Sequence, residues 1–175
     1  MGCGCVRNTQ EALYANEIHP KSYFIGGKPD GEEKKTYNMD GVCLSENVLY
    51  FNDKELFKQC IAVHVDAMAI QAGEYISGMS NTMGLDNDRR VIARQKAKSS
   101  KSKSINIAPK DHITELECTY NDDYVCSLKI TTLTGNSLSI QGSKGEGPKS
   151  TTVSLKDKQE AVVGFKGIID GTGMK

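Results

Sequence analysis

The chain has 175 residues, with 22 Lys+Arg, 22 Asp+Glu, 38% hydrophobic residues, seventeen Gly, four Pro and no Trp. That length fits one domain plus an extension, and a balanced charge excludes both an acidic solvating chain and a globally basic nucleic-acid binder. No apolar stretch approaches the roughly 18 residues that a spanning helix needs.

Residues 1–41 have mixed polarity, with turn clusters at Gly26-Gly27-Lys28-Pro29-Asp30-Gly31 and Asp40-Gly41. They read as an irregular arm preceding a domain over 42–175, with at most a turn or two of helix over 11–17. Beyond Val42, short apolar runs alternate with turn residues. Strands are predicted over 48–51, 60–65, 67–71 and 73–76, whereas 97–104 is too polar and serine-rich for a core element. Further strands are predicted over 105–107, 113–120, 124–133, 137–140, 151–155 and 161–165. These runs are rich in Thr, Val and Ile and are separated by Gly, Asn and Pro turns every ~8–12 residues, the pattern of an all-β sandwich, barrel or prism.

The zero net charge hides an asymmetry. Residues 1–88 hold 7 basic and 13 acidic side chains, 89–110 hold 8 and none, and 111–175 hold 7 and 9. The positive segment is Arg89, Arg90, Arg94, Lys96, Lys98, Lys101, Lys103 and Lys110. It reads either as a solvated basic loop or, through residues 89–103, as an electrostatic contact with an acidic lipid or protein surface. Ser99, Ser100, Ser102 and Ser104 lie among the lysines, where phosphorylation would cancel charge.

The opening Met1-Gly2-Cys3-Gly4-Cys5 lacks the basic and apolar regions of a signal peptide. Gly2 is the acceptor that N-myristoylation requires, and Cys3 and Cys5 are candidate palmitoylation sites; Val6 replaces the usual Ser or Thr at the sixth position. One myristoyl chain binds membranes marginally, so the second acyl chain would make the anchor stable. The expected location is cytoplasmic and membrane-associated, with cytoskeletal association a further possibility. Cys43, Cys60, Cys118 and Cys126 form no CxxC pair, so neither a metal site nor a cofactor is expected. A turn at residues 121–123 would pair Tyr120 with Tyr124 and Cys118 with Cys126 across a hairpin, the cysteines serving as small buried hydrophobes.

Three segments carry a family resemblance. Ile61-Ala62-Val63-His64-Val65 through Ile70-Gln71-Ala72-Gly73-Glu74-Tyr75 is similar to the opening hairpin of the jacalin-related lectins. Ile105 to Leu116, followed by Val125-Cys126-Ser127-Leu128-Lys129-Ile130-Thr131-Thr132, is similar to their central run. Val162-Val163-Gly164-Phe165-Lys166-Gly167 matches their "IVGFKG" strand nearly letter for letter. The resemblance spans about residues 58–173 and implies a jacalin-like β-prism of three Greek-key sheets.

In that family a glycine-rich amino-terminal loop and a GxxxD loop bind sugar hydroxyls through a carboxylate and backbone N–H groups. The resemblance assigns Gly167 and Asp170 to a degenerate carbohydrate site. The loop between them is short, Gly26-Gly27 is the sole candidate for the glycine-rich loop, no aromatic follows Asp170, and the sequence ends at Lys175, where the family continues a closing strand.

Catalysis needs a nucleophile, a base or paired carboxylates held in a pocket. His19, His64 and His112 stand far apart, residues 142–147 lack the Walker spacing, and Asp86-Asn87-Asp88 lacks the rest of a calcium loop, so no enzyme is expected. Two functions follow. The main expectation is a structural or scaffold protein that uses the prism as a protein-binding block in a membrane-associated or cytoskeletal assembly. The alternative is a membrane-tethered, lectin-like module with a degenerate sugar site and a glycan partner. No nucleic-acid partner is expected.

Overall fold

The computed structural model describes residues 36–39, 41–45, 48–53, 62–85, 89–94, 101–158 and 160–175, with the backbone alone at 62–64, 83–85 and 89–94. Eleven strands are described: β1 (Val42–Ser45), β2 (Val48–Asn52), β3 (Ala62–Ala72), β4 (Ile76–Leu85), β5 (Arg89–Arg94), β6 (Lys101–Asn106), β7 (Ile113–Tyr120), β8 (Val125–Thr132), β9 (Ser137–Gln141), β10 (Lys149–Ser154) and β11 (Lys166–Ile169). They build three antiparallel sheets, ordered β1-β2-β11, β5-β4-β3-β6 and β10-β7-β8-β9. In each four-stranded sheet three consecutive strands meander and the fourth returns beside the first, which is a Greek key. The remaining sheet joins early strands to the late strand β11. The all-β prism expected from the resemblance is the observed architecture.

The core explains the strand pattern. Inward positions alternate along β8 and β9, placing Leu128, Ile130, Leu138 and Ile140 inside, and Met68, Ile70, Ile76, Ile113 and Phe51 join them in one cluster spanning the sheets. Each such side chain buried contributes about 1.5–3 kcal/mol relative to exposure.

Several expected boundaries shift, each for a structural reason. The runs predicted over 60–65 and 67–71 form one strand, β3, with bulges around Val65 that absorb the irregular alternation at Asp66. Residues 101–104, read as too polar for a core element, belong to β6. This is an edge strand whose side chains are mostly exposed, so its backbone pairs with β3 while its polar residues face water. The strand expected over 161–165 begins instead at Lys166. Before that point Val162 N–H donates to Ile113 O, and Phe165 exchanges backbone and side-chain hydrogen bonds with Asp53.

The β7–β8 hairpin also differs from the symmetric pairing. Tyr120 stands opposite Val125, Thr119 opposite Ser127 and Cys118 opposite Leu128, so Cys126 is the extra residue of a bulge. The Asn121 side chain shapes the shifted turn: its Oδ1 accepts from Asp123 and Tyr124 N–H, closing a connection one residue longer than the symmetric loop. Val125 and Cys126 consequently both point inward, and Cys118 and Cys126 are buried free thiols.

Candidate carbohydrate site around Asp170

Asp170 follows directly after β11, where the chain turns sharply. Its N–H donates to Gly173 O at 3.0 Å, while its Oδ1 accepts from Thr172 N–H at 2.8 Å and Gly173 N–H at 3.1 Å. This is an Asx-type turn, which an aspartate can close because its side-chain oxygen substitutes for a backbone carbonyl.

The turn is tied to all three sheets. Met174 N–H donates to Ile76 O on β4, Met174 O accepts from Val125 N–H on β8, and Lys175 N–H donates to Ile168 O on β11. Gly173 allows this approach, because a Cβ there would lie 2.8 Å from Tyr75 Cβ and 3.2 Å from Ile76 O.

Two aromatic residues flank the turn. Tyr75, in the β3–β4 turn, and Tyr124, in the β7–β8 turn, stack with ring centroids 4.9 Å apart and planes at 25°. Tyr124 Oη–H donates to Asp170 Oδ2 at 2.9 Å, and Lys175 Nζ lies 3.4 Å from the same oxygen. A third loop leans on the first. Ser143 N–H donates to Gly73 O, Lys144 N–H donates to Glu74 O, and Lys144 Nζ lies 3.9 Å from Glu74 Oε2. Gly142 is needed at that junction, since a Cβ would come within 2.2 Å of Glu74 O.

The electrostatics follow from these contacts. Burial opposes the charge on Asp170, but the Thr172 and Gly173 N–H groups, the Tyr124 hydroxyl and Lys175 outweigh it and hold the carboxyl below its usual range. The Tyr124 hydroxyl is pushed up, by burial first and by the neighbouring carboxylate as well. Chemically the rim offers a fixed anion, aromatic surface, hydroxyls and an ammonium. Such a set suits a polyhydroxylated ligand, whose hydroxyls need donors and acceptors at fixed spacing and whose C–H face suits an aromatic ring.

The other residues singled out in the sequence are dispersed. Gly167 lies within β11, where a Cβ would meet the Phe51 ring at 2.7 Å. Its smallness serves packing, and residues 167–169 are strand where a loop was expected. The basic segment is divided between two edges of one sheet. Arg89, Arg90 and Arg94 lie on edge strand β5, Lys101 and Lys103 on the opposite edge β6, with two strands between them. Lys103 Nζ also donates to Ser139 O at 2.7 Å. Lys110 is exposed on the loop before β7. Lys96, Lys98, Gly2, Cys3 and Cys5 lie outside the described residues. Among the described residues no group of three or more His, Cys, Asp and Glu side chains is placed to hold a metal ion.

Sequence reasoning missed Tyr75 and Tyr124, having looked for an aromatic only after Asp170. Their signal is weak but real: each is an aromatic at the exit of a polar turn, after Glu74 and after Asp123.

A family model described as the jacalin-like lectin domain matches residues 27–173, beginning inside the segment read as an arm. Comparison with curated proteins by sequence finds no match. Solved structures share the fold at low identity. The prostate-specific WGA16 glycoprotein lectin is 15% identical with a TM-score of 0.56, over 75% of this chain and 88% of that one. AcmJRL, a mannose-binding jacalin-related lectin from Ananas comosus, is 12% identical with a TM-score of 0.55, over 86% of this chain and 89% of that one. The artocarpin–mannotriose complex is 18% identical with a TM-score of 0.53, over 65% and 85%.

These findings correct the functional expectation. The prism was expected to serve as a scaffold and protein-binding block in place of a lectin, yet the matching domain and the structural neighbours are lectins. With the match extending over most of its length, the chain belongs to the jacalin-like lectin domain family.

Proposed function

We propose that this protein is a carbohydrate-binding module whose site is the rim formed by Tyr75, Tyr124, Asp170, Thr172 and Lys175. The observation that carries the reading is the Tyr124–Asp170 hydrogen bond, which sets an aromatic ring beside a held carboxylate at the end of β11. That pairing offers stacking for the apolar face of a pyranose and acceptors for its hydroxyls. Binding is the whole activity in this reading; the sugar leaves unchanged, and the protein is not an enzyme.

A glycan array followed by titration with mannosides and galactosides tests it. Saturable binding that weakens at least tenfold in Asp170→Ala and in Tyr75→Ala is expected. Absence of saturable binding to every glycan, or binding indifferent to both substitutions, would reject the site.

The same reading includes a tether. The Gly2, Cys3 and Cys5 terminus supports dual acylation, and the arginines of β5 and lysines of β6 would supplement it at an anionic surface by about 1 kcal/mol for each side chain that reaches it. Mass spectrometry of the native protein is expected to find an acylated Gly2 with a thioester at Cys3 or Cys5. An unmodified terminus would remove the tether and leave the glycan site standing.

A further inference from the structure

Away from the Asp170 rim, the described core contains a second buried carboxyl group, with no ion pair among the described residues. Asp53 follows β2 and is fully buried. Its N–H donates to Phe165 O at 2.8 Å, and its Oδ2 accepts from Phe165 N–H at 2.7 Å and from Asn81 Nδ2 at 3.0 Å. Asn81, on β4, is also buried. Two oxygens of this pair, Asp53 Oδ1 and Asn81 Oδ1, are buried without a hydrogen-bond donor among the described residues.

Each orphaned oxygen shares a carbon with one of the two bonded atoms. Two acceptors left together in a dry site repel each other, and an ionised carboxylate there is a buried charge without compensation. One proton removes both difficulties. We propose that Asp53 and Asn81 form a closed acid–amide ring, in which Asp53 Oδ1–H donates to Asn81 Oδ1 while Asp53 Oδ2 accepts from Asn81 Nδ2. The proton thereby becomes a structural component that latches the β1-β2-β11 sheet onto β4.

The electrostatics agree with the geometry. Burial favours the neutral acid, the Phe165 N–H and the Asn81 amide favour the anion, and burial wins, carrying the pKa from 3.8 up to about 7. Among the described residues no charged group contributes to the shift. The charged residues on the neighbouring described strands are Lys166, opposite Asn52; Asp66 on β3; and Arg89, Arg90 and Arg94 on β5, opposite Met83, Thr82 and Gly78.

The latch has a consequence for the rest of the fold. Asp53 and Phe165 hold the entry of β11, and the exit of β11 carries Asp170. Loss of the proton to solvent base leaves a carboxylate facing an amide oxygen and weakens the seat of that strand. Folded protein binds this proton more tightly than unfolded chain, so the contribution of Asp53 to stability is greatest below about pH 4, declines as pH rises towards about 7 and levels beyond it.

Urea denaturation of the full chain and of Asp53→Asn between pH 4.5 and 8.5 tests the ring. An asparagine reproduces the neutral acid, with its amide donating to Asn81 Oδ1. The folding equilibrium constant of Asp53→Asn relative to the parent is expected to rise by up to tenfold per pH unit until about pH 7 and then stay level. A ratio independent of pH, or a variant that does not fold, would overturn the proposal. Infrared spectroscopy of the parent protein gives a readout that needs no variant. One neutral carboxylic-acid carbonyl band per chain is expected at pH 6, disappearing with a midpoint near 7; its absence at pH 6 overturns the ring.

Discussion

Tyr124 and Asp170, 46 residues apart, are joined by a 2.9 Å hydrogen bond from the phenol to Oδ2. This contact links the β7–β8 turn to the end of β11, and with it two of the three sheets. The carboxylate is thus held from both sides, by two backbone N–H groups on Oδ1 and by the phenol and Lys175 on Oδ2.

Replacing Tyr124 with Phe removes the phenol but keeps the ring stacked on Tyr75. A loss of about 1–1.5 kcal/mol in unfolding free energy is expected by urea titration, the usual worth of a hydrogen bond to a half-buried charged acceptor. Glycan affinity should fall several-fold in the same variant, measured by calorimetry.

In the proposed site, Lys175 would compete with a bound sugar for Asp170 Oδ2, since a carboxylate oxygen has limited acceptor capacity. Both side chains of this pair retain contact with water, so the ion pair is worth at most about 1 kcal/mol. Lys175→Met should therefore bind neutral glycans about two- to fivefold more tightly. Weaker binding in this variant would instead identify Lys175 as a sugar contact.

Two glycines should respond differently to alanine. Gly135 adopts φ +89 with open space around it, so Gly135→Ala meets backbone strain alone and is expected to cost about 1 kcal/mol. Gly142→Ala drives a methyl into the Glu74 carbonyl and should cost more, about 1–3 kcal/mol, while separating the loops behind Tyr75. Thermal denaturation of the two variants side by side measures the difference.

Asp111 is buried before β7 and pins the β8–β9 turn, accepting from Thr134 Oγ1–H at 2.6 Å, Thr134 N–H at 3.1 Å and His112 N–H at 3.0 Å. Burial raises its pKa, but the threonine and backbone donors prevail and hold it below the usual value. Its stabilisation is therefore present above the unfolded value near 3.8 and is lost as pH falls through the lower folded value. Asp111→Ala should lose about 1–3 kcal/mol at neutral pH, and its deficit should shrink on acidification below pH 4.

Burial pushes the Cys118 thiol up to about 11 and raises that of Cys126, so both remain protonated and shielded at neutral pH. Alkylation at pH 8 followed by peptide mass spectrometry should label half-buried Cys43 before either of them. Cys118 and Cys126 should react at the rate of unfolding.

Much of this organisation is legible in local sequence. The alternation of Thr, Val and Ile predicts β7, β8 and β9, because period-two burial is a property of a strand and its own neighbours. β4 and β5 were not predicted, since Ser77-Gly78-Met79-Ser80-Asn81 does not alternate apolar with polar side chains; its inward side includes Ser77 and Asn81. β6 escaped for a related reason: its edge position asks for backbone pairing and little burial.

By itself, then, the sequence determined the all-β class and, through Val162-Val163-Gly164-Phe165-Lys166-Gly167, the family. Tertiary structure alone decided the register and the site. The Cys126 bulge depends on which backbone groups Asn121 captures, and a one-residue change of register sends each later side chain to the other face of the sheet. Tyr75, Tyr124 and Asp170 meet because three sheets pack about one core and bring their turns to a common rim. Asp53 and Asn81 meet for the same reason, across 28 residues. Contacts of this length are set by sheet packing, and no local spacing of residues encodes them.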